Sequence, residues 1–219
     1  MDFLNGILAF SLEELPYVVV SLLIAFTVHE FAHAYVAYKF GDPTAKEQGR
    51  LTLNPKEHID PLGTLLILIA GFGWARPVPV TRNNFKNPRL AGVLVSLAGP
   101  LSNLLIAAIA YAVWYGLLGA GVQPAQYVYQ FMNQLIGLNI LLFVFNLLPI
   151  PPLDGYRIVE DIVSPNVRAK MTQYEQYGML IFLILLFTPL DQYTIQPIFQ
   201  TVIPAVSNGL QHFFAALFL

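Results

Sequence analysis

Apolar residues run in long blocks along this chain, and polar positions gather in short clusters between them. A membrane-spanning helix needs about 20 mostly apolar residues. Four stretches have that length: 16–38, 90–118, 128–148 and 196–219. A fifth, 177–190 (YGMLIFLILLFTPL), is shorter but apolar enough to span with help from its flanks. The run 62–73 (LGTLLILIAGFG) is too short, carries glycines at both ends and leads into Trp74-Ala75-Arg76-Pro77. It predicts a re-entrant or sheet-like segment that returns to the side it entered. Residues 3–15 mix acidic with apolar positions and stop at Pro16, predicting an interfacial helix on the outer face. The expected fold is an all-α polytopic membrane protein with about five to six transmembrane helices and a short membrane-embedded β-sheet or re-entrant segment. No internal repeat or linker divides it, so residues 1–219 read as a single integral-membrane domain.

Composition supports a bilayer as the solvent. Hydrophobic residues make up 56% of the chain and charged residues 11%, against roughly 25% charged in an average soluble domain. The mean hydropathy of +0.61 points the same way. A net charge of −2 leaves no nucleic-acid footprint, and the lack of cysteine excludes disulfides and thiolate ligands. The first fifteen residues carry no Lys or Arg, unlike a signal peptide, and read as mature protein. All eleven basic residues fall in three places: Lys39 to Lys56, Arg76 to Arg89 and Arg157 to Lys170. With 62–73 returning to its own side, five spans put all three clusters on one face. The positive-inside rule makes that face cytoplasmic. The amino terminus is then expected outside and the carboxyl terminus inside.

The candidate chemistry lies in the inner half of the first span, in His29-Glu30-Phe31-Ala32-His33. Histidines at i and i+4 share a helical face, with Cβ atoms ~5–6 Å apart. Both imidazoles can then reach one zinc ion, and the glutamate between them can polarise a water there. A charged group in a span costs at least ~2.5–3.5 kcal/mol, so such residues are functional candidates by default. Catalytic zinc usually takes three protein ligands. At the matching depth stands Asp154, after the helix-breaking run Pro149-Ile150-Pro151-Pro152 and before Gly155. Asp154 is also well placed to cap the helix that follows. Asn103 and Asn146 are amides within spans, for which interhelical hydrogen bonding is the plain expectation. His58 reads as a loop histidine and His212 has no partner at ligand spacing, so neither joins the site.

These pieces together resemble the site-2 protease family of intramembrane zinc metalloproteases. The resemblance runs through H-E-x-x-H at 29–33, Gly49 to Pro55, His58 to Gly63, Gly73 to Val80, Ala98 to Asn103, and Asn146 to Gly155. It implies one zinc per chain held by His29, His33 and Asp154, with Glu30 as general base and Asn146 near the substrate. It also implies a short membrane-embedded β-sheet between the first two core helices. Tyr156 departs from the family's usual choice after Asp-Gly but touches no ligand position. No PDZ or CBS domain is expected. The implied substrates are transmembrane segments of other membrane proteins, and the implied location is a prokaryotic inner membrane. Two rival readings stay open: a proteolytically silent relative that binds membrane proteins, and a metal transporter. Four intact site residues argue against the first, and ligands gathered at a single depth argue against the second.

Overall fold

The computed structural model describes residues 9–71 and 73–219. Among them no strand forms, and the chain is a helical bundle. Its framework is three helices, α1 (Leu15–Lys39), α4 (Pro88–Gly119) and α5 (Gln126–Asn146), each long and apolar enough to cross a bilayer. Between α1 and α4 lie the short α2 (Thr44–Glu47) and α3 (Pro61–Ala70). After α5 come α6 (Asp154–Ile162), α7 (Pro165–Tyr174), α8 (Gly178–Phe187) and α9 (Asp191–Phe218).

Local signals explain the starts of these helices. Pro16 opens α1 at a position where its missing N–H costs nothing. Asn87 caps α4, its side chain accepting from Leu90 N, with Pro88 at the first turn. Along α1 the buried positions Val18, Leu22, Ala25 and Phe26 continue at helical spacing into His29, Glu30 and His33. The ionisable residues thus occupy the face that packs inward against α4 and α5. Farther along, Ala107, Tyr111, Leu135 and Ile140 form the apolar core where α4 meets α5, and α9 covers it.

Two expectations need correction, and a third lies partly outside the described residues. Of the two alternatives for 62–73, re-entrant or sheet-like, the sheet does not form: the stretch up to Ala70 is the ten-residue helix α3, too short to cross a bilayer, and Phe72 lies outside the described residues. Asp60 caps it by accepting from Gly63 N at 2.8 Å, Pro61 opens it, and Gly71 closes it at φ 70°. Those are ordinary helix start and stop signals. The expected interfacial helix at 3–15 lies partly outside the described residues; of the rest, 9–10 form a bend and 12–14 a turn before α1 begins. Two expected spans also differ. Segment 177–190 yields only the ten-residue α8, about 15 Å long, or half a hydrocarbon core. Segment 196–219 lies in the 28-residue α9, long enough but interrupted by Gln196, Gln200, Asn208, Gln211 and His212.

The run of α9 changes the expected topology. Phe199 packs at a tilt against Phe145 near the end of α5, with ring centroids 6.2 Å apart. Ser207 Oγ lies 2.8 Å from Tyr111 Oη. A methyl on Gly119 would fall 2.3 Å from the Phe218 carbonyl oxygen. Helix α9 therefore runs parallel to α4 and ends beside the 119–127 loop, at the end of the bundle opposite the Lys and Arg clusters. A carboxyl terminus on the basic face, as expected from five spans, is inconsistent with this packing, because α8 is too short to carry the chain across first.

Candidate metal centre

Helices α1, α4 and α6 bring the expected ligands together. His29 Nε2 and His33 Nε2 lie 3.0 Å apart. Asp154 Oδ2 is 3.2 Å from the first and 3.3 Å from the second. Both histidines are buried, and Asp154 is largely enclosed. Asp154 stands in the first turn of α6, but Leu153 occupies the cap position and no side chain makes a capping bond. The plain capping role is thus excluded. Gly155 allows the placement: a methyl there would meet the Leu147 carbonyl oxygen at 2.2 Å, so only glycine lets α6 back onto the end of α5.

The proton positions follow from the outer contacts. His29 Nδ1 is 2.7 Å from Asn103 Oδ1, and His33 Nδ1 is 2.7 Å from the Val95 carbonyl oxygen. Each acceptor requires an N–H on Nδ1, so a neutral ring at either position carries its lone pair on Nε2. Asn103 is held in turn, its Nδ2 donating to Asn139 Oδ1 at 2.9 Å and to the Ala25 carbonyl at 3.3 Å. Asn139 then donates to the Leu135 carbonyl. Hydrogen bonds of this kind orient metal-binding imidazoles. Asn103 does bond between helices as the plain expectation had it, and its target is a ligand ring. Asn139 escaped the sequence reading, although its place seven residues before Asn146 on one helical face offered a signal.

Three lone-pair atoms therefore converge on one point, and the buried Asp154 Oδ2 has no hydrogen-bond partner. With both rings neutral, such a cluster calls for a cation at its centre. Tetrahedral zinc at ~2.0–2.1 Å sets its ligand atoms ~3.3–3.4 Å apart, close to the three separations here. The residues fit the metal.

Glu30 faces the same cavity, of about 900 Å³, and its Oε2 accepts from Val78 N at 2.8 Å. Asn146 lines this cavity too, with its Nδ2 donating to the Leu142 carbonyl of its own helix. Of the histidines left out of the site, His58 is fully buried rather than at the surface, donating from Nε2 to the Thr52 carbonyl. His212 is exposed on α9.

Comparison with known proteins agrees with this geometry. The sequence pattern of Peptidase family M50 matches residues 120–189. A protein of Bacillus subtilis, the candidate zinc metalloprotease YwhC, is 53% identical over 98% of this chain and 98% of its own length. The chain belongs to Peptidase family M50, the site-2 protease family. The candidate zinc metalloprotease Rip2 of Mycolicibacterium smegmatis is 35% identical over 78% of this chain and 67% of its own length. The candidate zinc metalloprotease MJ0611 of Methanocaldococcus jannaschii is 29% identical over 62% and 64%. No solved structure matches the chain.

In this family member an ion network, unforeseen from the sequence, fixes α6 behind its first residue. Arg82 makes a bidentate bond to the fully buried carboxylate of Asp161, and Arg168 lies 3.6 Å from the same carboxylate. Arg157 pairs with Glu175 and Glu160. Burial alone would raise the Glu160 carboxyl, but the Thr172 hydroxyl and the guanidiniums of Arg157 and Arg82 outweigh it and hold its pKa below the usual range. Tyr156, the departure from the family's pattern, donates to the Met171 carbonyl and ties α6 to α7.

Proposed function

We propose that this family member is an intramembrane zinc metalloendopeptidase that cuts peptide bonds within transmembrane segments of other membrane proteins. The observation that carries the reading is the convergence of His29 Nε2, His33 Nε2 and Asp154 Oδ2, bearing lone pairs, inside a bundle of membrane-length helices. His29, His33 and Asp154 hold the zinc, which when bound polarises the scissile carbonyl and makes water acidic. Glu30 takes a proton from that water and returns it to the leaving amine, a role worth typically ~10²–10⁴-fold. Asn103 and the Val95 carbonyl keep both imidazoles in the ligating tautomer. Asn146, beside the centre, holds the substrate backbone.

The bilayer surrounds α1, α4 and α5, with the Lys- and Arg-bearing end of the bundle in the cytoplasm. The amino terminus is outside. The setting is a prokaryotic cytoplasmic membrane, in keeping with the bacterial and archaeal relatives. A substrate segment is helical in lipid, because each unsatisfied backbone group costs several kcal/mol there. It must unwind locally before its carbonyl can reach the centre, so glycine near the scissile bond speeds cleavage and leucine slows it.

The test is turnover of a transmembrane peptide by the purified chain in lipid vesicles. Cleavage should stop with a zinc chelator and return with added zinc. Cleavage indifferent to the chelator would sink the zinc reading, and a rate indifferent to substrate helicity would sink the requirement for local unwinding.

A further inference from the structure

Residues 73–81 carry no regular secondary structure and cross the cavity that holds the three ligands and Glu30. Both ends of this crossing are pinned. At Arg76 the backbone N–H donates to the His58 carbonyl at 2.8 Å, and the carbonyl accepts from Arg50 Nη2 at 2.7 Å. At Thr81 the N–H donates to Asp42 Oδ2 at 2.6 Å, and the fully buried Asp42 also accepts from Asn84 Nδ2 at 2.7 Å. Between the two anchors runs Pro77-Val78-Pro79. Proline has no N–H and drives the residue before it into extended backbone. Of these three residues only Val78 can donate from its backbone, and its N–H meets Glu30 Oε2 at 2.8 Å.

We propose that Val78 is a positioning residue whose backbone N–H holds Glu30 Oε2, so that the other oxygen, Oε1, is aimed to take the proton from water at the centre. The inference rests on the reading of Glu30 as general base. A buried carboxylate on a flexible three-bond side chain has several rotamers, and a charge-assisted hydrogen bond from a fixed backbone selects one. The flanking prolines make the arrangement specific. They supply the extended conformation without a helix or strand partner, and they remove the competing donors at 77 and 79. Val78 contributes through its amide, so the side chain is secondary to the effect.

The experiment compares V78P, V78A and a backbone ester at position 78 made with 2-hydroxyisovaleric acid, which removes the N–H and keeps the side chain. The expected result is a fall in kcat of about 10- to 100-fold for V78P and for the ester, with KM and bound zinc as in the unaltered protein. V78A keeps the N–H and should lose at least tenfold less than V78P. A second measurement needs no metal and no turnover. In protein labelled with 15N-valine, the Val78 amide proton, identified by its absence in V78A, should move upfield on Glu30→Ala. An ester variant within twofold of normal kcat, V78A as damaged as V78P, or an unmoved Val78 amide would each overturn the proposal. Full activity in Glu30→Gln would instead overturn the base reading itself, which separates the two failures.

Discussion

A methyl group at position 99 would sit 2.3 Å from His33 Nε2 and 2.6 Å from His29 Cε1. Glycine is therefore required where α4 passes the two imidazoles, and Gly99→Ala should push both rings off the centre. We expect at least a tenfold weaker zinc affinity, measured by competition with a chromogenic chelator, while the apo protein keeps its helicity. The four residues at the centre should separate by role. Glu30→Gln should keep zinc and lose turnover, whereas Asp154→Ala should lose both, read by elemental analysis. Equal zinc loss in the two variants would show the roles to be misassigned. The ligand pair His29 and His33 was legible in the sequence because a helix fixes i, i+4 neighbours on one face. The tautomer partners were not, since Asn103 is 74 residues from His29 and Val95 is 62 from His33.

Among the elements, α6 is nine residues long and carries Asp154 at its start. So short a helix is marginal alone, and its pose depends on what grips its far end. Arg82 does this through Asp161, whose carboxylate is fully buried. Removing one partner of a buried pair costs ~3–5 kcal/mol where nothing else compensates the charge, and here Arg168 stays 3.6 Å from the carboxylate. Arg82→Ala should therefore lower the unfolding free energy in detergent, by less than that full amount, and loosen zinc. The anchor at Asp42 adds a pH dependence. Burial raises its carboxyl, but bonds from Thr44, Asn84 and Thr81 prevail and depress its pKa. A depressed acid stabilises fully above its unfolded pKa of about 3.9, and the contribution fades as pH falls through the lower folded value. Thermal unfolding of Asp42→Asn should accordingly differ from the unaltered protein at pH 6, and the gap should close in strong acid. A gap independent of pH would refute the assignment.

For the whole molecule, the direction of α9 sets the topology. With α1, α4, α5 and α9 traversing the bundle, Leu15 and Leu219 belong at the same end, opposite the basic clusters. Because the chain has no cysteine, single cysteines report on this directly. Cysteines at Gln123 and Leu219 should both react with an impermeant thiol reagent outside intact cells, and one at Lys86 should not. Protection of Leu219 with labelling of Gln123 would restore the five-span scheme.

Sequence alone determined the bilayer setting, the three long spans, the basic end of the bundle and the ligand pair on α1. Each follows from short-range rules: apolar run length against hydrocarbon thickness, and helical periodicity. The third ligand could be narrowed to Asp154 by depth, but its release from capping was decided by the packing of Gly155 on α5. The start and stop signals of α3 stood in the sequence at Asp60, Pro61 and Gly71. Tertiary structure alone decided that α8 turns back and that Asp161 rather than an exposed surface receives Arg82. These outcomes depend on contacts between segments tens of residues apart. No local pattern encodes such contacts, because the energies that select them arise only when two faces meet.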